Sequence, residues 1–131
     1  MERFLPKPTI VSAPFWDGCR KGELRLQQCT VCRRHIFYPA YICPHCGASS
    51  LEWKNTSGNG VVYSCTVVER QAGANDEPIV VGLIQLDEGP IMMSNVRADD
   101  PYSVAIGDRV SVRFERASDE ITLPVFVPHA E

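Results

Sequence analysis

Cys29, Cys32, Cys43 and Cys46 form two Cys-x-x-Cys pairs in the stretch CTVCRRHIFYPAYICPHC, with the ten residues Arg33 to Ile42 between them. Each pair closes a tight turn whose two sulfurs converge on one point while backbone N–H groups face them. Two such knuckles complete a tetrahedral four-thiolate shell for one metal ion. In the second knuckle, Pro44 stiffens the turn and Gly47 permits a positive φ just after it. Zinc is preferred over iron, because rubredoxin-type iron sites set their two knuckles much further apart. A closed shell leaves no position for water or substrate, so the expected ion is structural and the protein colourless.

The other reactive side chains are less organised. His35 and His45 lie in the same segment, but four thiolates already fill a tetrahedron, and Arg33 and Arg34 offset the site's charge. Cys19 and Cys65 stand outside any ligand spacing and are expected to pack as small apolar groups. The third histidine, His129, is in the tail, so no nucleophile, base and orienting acid can be assembled. No glycine-rich loop follows a strand and opens a helix. The expectation is a chain without catalytic residues of its own.

With 44% hydrophobic and 22% charged residues over 131 positions, the chain has the composition of an ordinary globular protein large enough to fold without disulfides. No apolar run approaches the roughly 20 residues of a membrane span. The opening MERFLPKPTI lacks a signal-peptide core, so a cytoplasmic location with reduced thiols is expected. Net charge is −3, and four thiolates around a divalent ion take it to about −5. Lys and Arg are dispersed, which argues against a phosphate backbone as the main partner.

Three zones position the knuckles. Residues 1–22 are a proline-broken arm and a short helix, with Ser12 as cap, Pro14 in the first turn, and Phe15, Trp16 and Cys19 on one side. Gly22 stops that helix, which is too short to be stable undocked. Residues 23–56 are the metal ribbon, with strands in ELRLQQC and LEWKN and an apolar cluster of Ile36, Phe37, Tyr38, Tyr41 and Ile42 as its core. Residues 57–131 read as five strands, at 60–70, 78–86, 91–96, 109–116 and 120–126. Asp87-Glu88-Gly89-Pro90 turns a hairpin, and Gly82 suggests a bulge. A longer connection between the third and fourth strands is the arrangement of an OB-fold barrel. The fold expected is mainly β: helical segment, ribbon, barrel.

Together the blocks PFWDGCRKGELRLQQC, CTVC, FYPAYICPHCG, LEWKNTSGNGVVYSCTVVER, PIVVGLIQLDEGP, IGDRVSVRFE and LPVFVP resemble one family over nearly the whole chain. It is the family of zinc-ribbon OB-fold proteins called domain of unknown function thirty-five, associated with acyl-CoA metabolism. The resemblance implies a rubredoxin-like zinc ribbon held by Cys29, Cys32, Cys43 and Cys46, followed by the barrel. It also implies a non-catalytic subunit, in a hetero-oligomer, required by a thiolase-like enzyme: a thiolase, a sterol-carrier-type aldolase or an acyltransferase, with MaoC-like hydratases as further partners. Such a subunit helps to accommodate acyl-CoA. Phe15 and Trp16 fall in the helix expected at the partner surface, with the chain's own core as the alternative location. Arg70, Arg97, Arg113 and Arg116 are the candidates for CoA phosphates, with a plain surface role as the alternative. One departure is Arg33, where many members carry Gly after the first knuckle. The competing function is single-stranded nucleic-acid binding, with Tyr63, Tyr102 and Phe114 as stacking candidates. A self-contained thiol-redox or metal-storage module is a third reading.

Overall fold

The computed structural model describes residues 5–69 and 78–129. A helix, α1 (Ala13–Arg20), leads into a three-stranded antiparallel sheet made of β1 (Arg25–Cys29), β2 (His35–Ile36) and β3 (Leu51–Asn55), in the order β2-β1-β3. Five strands follow: β4 (Asn59–Val68), β5 (Ile79–Leu86), β6 (Ile91–Val96), β7 (Arg109–Arg116) and β8 (Thr122–Pro128). They close into a barrel ordered β4-β5-β6-β8-β7, and β7 pairs back onto β4. Among the described strands only β6 and β8 pair in parallel, with the connection through the 3₁₀ turn Pro101–Ser103 and the antiparallel β7 between them in the chain. The molecule is thus mainly β, with a zinc-ribbon sheet and an OB-fold barrel.

The helix obeys its sequence signals in outline and departs from them at its cap. Pro14 sits in the first turn and Gly22, at φ 77°, follows the last. Ser12 makes no capping bond to the helix; its hydroxyl faces backward, accepting the Thr9 N–H at 2.8 Å and bonding the Thr9 hydroxyl. Ser12 has helical φ and ψ, so its side chain cannot reach forward as an extended cap residue would.

One core joins all three parts. Phe15, Trp16, Cys19, Leu24 and Leu26 pack in a single buried cluster with Val62, Ile84, Val96, Val110 and Phe126 of the barrel. Helix α1 lies against β1, β7 and β8, which is how an eight-residue helix gains the docking it needs. Phe15 meets Trp16 edge-on with ring centroids 4.9 Å apart, and Phe37 from the ribbon stands 5.7 Å from Phe15.

Two expectations about local structure are corrected. The barrel's bulge is not at Gly82, whose strand pairs without interruption from Val80 to Gln85 on β6. It lies opposite, in β4, where the register shifts between Val62 and Ser64 and leaves Tyr63 as the extra residue. Gly82 serves space instead: a Cβ there would stand 3.3 Å from Val96 Cγ2 and 3.4 Å from Ile84 Cδ1. The inter-knuckle apolar cluster also divides. Ile36 is buried and Phe37 packs on the core, whereas Tyr38, Tyr41 and Ile42 are more than half exposed. With β2 only two residues long, the segment has too little backbone pairing to turn all five side chains inward.

Candidate metal centre

The two knuckles are built alike. In the first, the Arg33 N–H donates to the Cys29 carbonyl at 2.9 Å and the Cys29 N–H to the Arg34 carbonyl at 3.0 Å. In the second, Gly47 donates to Cys43 at 2.9 Å and Cys43 to Ala48 at 2.8 Å. Both turns place the residue after the second cysteine at positive φ, 80° for Gly47 and 67° for Arg33. Arg33 therefore adopts a left-handed conformation that costs a non-glycine residue on the order of 1–2 kcal/mol.

Backbone amides also face the sulfurs: Val31 and Cys32 N–H at 3.4 and 3.5 Å from Cys29 Sγ, and His45 N–H at 3.4 Å from Cys43 Sγ. The Cys32 N–H, more than any other group, brings the Cys29 thiol down to about 6. Burial works against ionisation of Cys43, but the N–H groups of Cys46 and His45 outweigh it and hold that thiol below its ordinary value. Cys46 is the counter-case. The Ala48 N–H favours its thiolate, yet the sulfurs of Cys29, Cys32 and Cys43, together with burial, push it up to about 11. Four sulfurs this close cannot all ionise unless a cation joins them.

The four Sγ atoms lie within 4.8 Å of one another, and among the described residues they are the cluster of metal-ligating groups. Cys29 and Cys46 are 3.5 Å apart, and Cys32 and Cys43 3.7 Å. Those separations exclude disulfides, whose sulfurs stand about 2.05 Å apart. They match the edge of about 3.8 Å in a tetrahedron with Zn–S bonds of about 2.3 Å. The donor set fits one structural zinc. His35 and His45 supply no ligand to this cluster.

Sequence reasoning missed Gln27. Alternation along β1 points Leu24 and Leu26 inward and leaves Gln27 outside, but β1 is the central strand and Gln27 is only 6% exposed. Its amide donates to the Ala40 carbonyl at 2.9 Å and accepts the Ala40 N–H at 2.8 Å. That pair of bonds holds the inter-knuckle loop as a neighbouring strand would. A polar residue in the middle of a strand leading directly into a knuckle was the available signal.

The remaining predicted residues are scattered. Phe15 and Trp16 are 2% and 7% exposed, so the pair belongs to the core, where it floors a groove bordered by Tyr38 and Met93. Arg97 is held by both carboxylate oxygens of Glu115 at 2.9 Å, and that bond raises its pKa. Arg116 pairs with Asp119, and Arg113 donates to the Val112 carbonyl. Arg70 lies outside the described residues. Cys19 is buried, and desolvation pushes its thiol up to about 12, as expected of a packed apolar group. Cys65 is half-buried, with its thiol 3.7 Å from the Val104 carbonyl.

Comparison with known proteins matches this geometry segment by segment. Residues 16–52 match the model of the ChsH2 rubredoxin-like zinc ribbon domain, and residues 53–115 that of the ChsH2 C-terminal OB-fold domain. A DUF35 domain-containing scaffold protein of Methanothermobacter thermautotrophicus is 31% identical over 104 residues, covering 77% of this chain and 78% of that protein. The chain belongs to the DUF35 family. It is also 33% identical over 126 residues to the probable enoyl-CoA hydratase alpha subunit of Thermomonospora curvata, covering 94% of this DUF35 chain and 40% of that subunit. The chain thus spans about 40% of the length of that relative. Among solved structures, the Ltp2-ChsH2(DUF35) aldolase superposes with a TM-score of 0.85 at 31% identity, over 95% of this chain and 98% of the matched one.

Proposed function

We propose that this DUF35 chain is a non-catalytic subunit of an acyl-CoA-processing enzyme, docking on a thiolase-like partner and helping it accommodate the CoA moiety. The observation that carries the reading is the exposed apolar surface of the N-terminal arm and the ribbon. Ile10 of the arm and Tyr41 and Ile42 of the ribbon are 88%, 67% and 58% exposed, a cost that a chain folding for itself alone gains nothing by bearing. Kinship supports it: relatives include a scaffold protein, a hydratase alpha subunit and one component of an aldolase. The closed thiolate shell supports it too, because a zinc without an open position holds a shape and performs no chemistry.

The partner-facing role expected for Phe15 and Trp16 becomes indirect in this reading. Their rings set the floor beneath Tyr38 and Met93, which are the groups a partner meets. Among the arginines, Arg113 remains the better phosphate candidate, since Arg97 and Arg116 already hold carboxylates. Isolation of the native complex tests the proposal. A thiolase, aldolase or hydratase subunit that co-purifies and loses activity or stability without this chain supports it. A partner that is fully active and stable alone refutes it.

A further inference from the structure

The β5–β6 hairpin fixes which way the backbone of β6 faces. Its turn is closed by the Leu86 N–H on the Pro90 carbonyl at 2.9 Å, and antiparallel pairing alternates from there. Met92, Ser94 and Val96 therefore exchange bonds with Ile84, Gly82 and Val80, while the N–H and carbonyl groups of Ile91 and Met93 point to the opposite side. The neighbour on that side is β8, but the two strands register at a single pair, Val96 and Phe126, where the Arg97 N–H meets the Phe126 carbonyl at 2.8 Å. One step back, a side chain spans the gap instead: the Ser94 hydroxyl donates to the Pro124 carbonyl at 2.8 Å. Pro124 has no N–H to return. Among the described residues, Met93 has no backbone partner on this side.

This stretch of edge is accessible. Ile91 is 37% and Met93 67% exposed, and β6, with the sequence IMMSNV, carries no proline and no charged residue that would keep a second strand away. Beside it runs the groove over Phe15 and Trp16, walled by Met92, Leu123 and Val125, with a volume of about 230 Å³. That is below the roughly 300–1,000 Å³ of small-molecule sites and suits a single large side chain. No charged residue lines the groove, so it offers no counter-charge to a phosphate or a carboxylate. A free apolar molecule would fill the groove and leave the Met93 backbone groups unanswered. An extended polypeptide answers both, with its backbone on the strand edge and alternate side chains toward the groove.

We propose that the open edge of β6 pairs with an extended, uncharged segment of the partner subunit, which adds a strand to the barrel. Met93 exchanges backbone hydrogen bonds with one residue of that segment, whose side chain lies on the outer surface in line with Met93 and its cross-strand neighbour Leu83. The next residue of the segment turns inward, and its apolar side chain enters the groove over Phe15 and Trp16. The proposal rests on the docking reading for the chain that supplies the segment, and on the phase of the β5–β6 ladder for the site.

The test is amide hydrogen exchange read at Met93, in the full-length, zinc-loaded chain alone and in the complex isolated with its enzyme subunit. The Met93 amide is expected to slow by about tenfold or more in the complex, as one added backbone hydrogen bond implies. Two variants separate backbone from side chain. Met93→Pro removes an N–H on the side away from β5, where an edge strand tolerates proline, and should weaken docking by about tenfold or more. Met93→Thr keeps the N–H in a residue suited to strands and should hold docking within about threefold. Zinc content and melting temperature show that each variant is folded, and exchange in the wild-type complex decides the matter if Met93→Pro does not fold. A complex in which the Met93 amide exchanges as fast as in the free chain overturns the proposal. So does a folded Met93→Pro chain that docks like wild type, or a Met93→Thr chain that loses as much as Met93→Pro. A chain that docks without protecting Met93 loses only this inference, whereas one that docks on nothing loses the proposed function and this inference with it.

Discussion

At the scale of single residues, the sulfurs are prepared for a cation by the backbone around them. Amides favour the thiolates of Cys29 and Cys43, while the crowding of the four sulfurs holds the Cys46 proton on. Zinc resolves that conflict, so Cys43→Ala is expected to reduce zinc from about one ion per chain to near zero and to lower the melting temperature. Metal analysis with thermal melts checks it; a Cys43→Ala protein that keeps full zinc would contradict the assignment. Cys19 carries a second expectation. Its thiol keeps its proton up to about 12 in the folded chain and loses it near the ordinary value of 9.0 when unfolded. Proton release therefore favours the unfolded state as pH rises. Stability should be unaffected by this group below about pH 9 and fall between about 9 and 12, on the order of 1 kcal/mol per pH unit. Denaturant melts of wild type against Cys19→Ala isolate the effect, since the variant lacks that slope; parallel profiles would rule it out.

At the scale of elements, the short helix α1 is stabilised by what it covers. Phe15 is fully buried between Trp16 and Phe37. Phe15→Ala should cost about 3–5 kcal/mol, read as a lowered urea midpoint with an unchanged slope. A loss below about 1 kcal/mol would mean that the helix does not share the barrel's core. Much of the element structure was legible in the sequence, because β-branched runs ended by turn residues mark strands and paired knuckles mark a ribbon. The expected strand at 109–116 matches β7, and that at 91–96 matches β6. What escaped depended on tertiary context. The bulge at Tyr63 is set by pairing to a distant strand, while the Gly82 that suggested it answers to Val96. Ser12 has the residue type of a cap, but its φ and ψ turn the hydroxyl toward Thr9. Gln27 looked solvated because alternation cannot show that β1 is covered on both faces.

At the scale of the whole molecule, charge and surface point the same way. The chain is acidic, with net charge −3, and two of the arginines considered for phosphate already hold carboxylates. Phe114, considered for base stacking, packs against the core, leaving Tyr63 and Tyr102 exposed. Single-stranded oligonucleotides should accordingly fail to bind even at low salt; affinity that falls steeply with added salt would instead support the nucleic-acid reading. No helix among the described residues is long and apolar enough to cross a membrane. The exposed apolar side chains of the ribbon are better matched to a protein surface, and the family's scaffold and subunit members suggest which kind. The most direct measurement is purification of the native complex through this chain, with the associated polypeptide identified and its turnover of acyl-CoA assayed with and without the chain. The expected result is a stoichiometric thiolase-like, aldolase or hydratase subunit whose activity or stability collapses when the chain is withdrawn. A chain that purifies alone, or a partner indifferent to its removal, would contradict it.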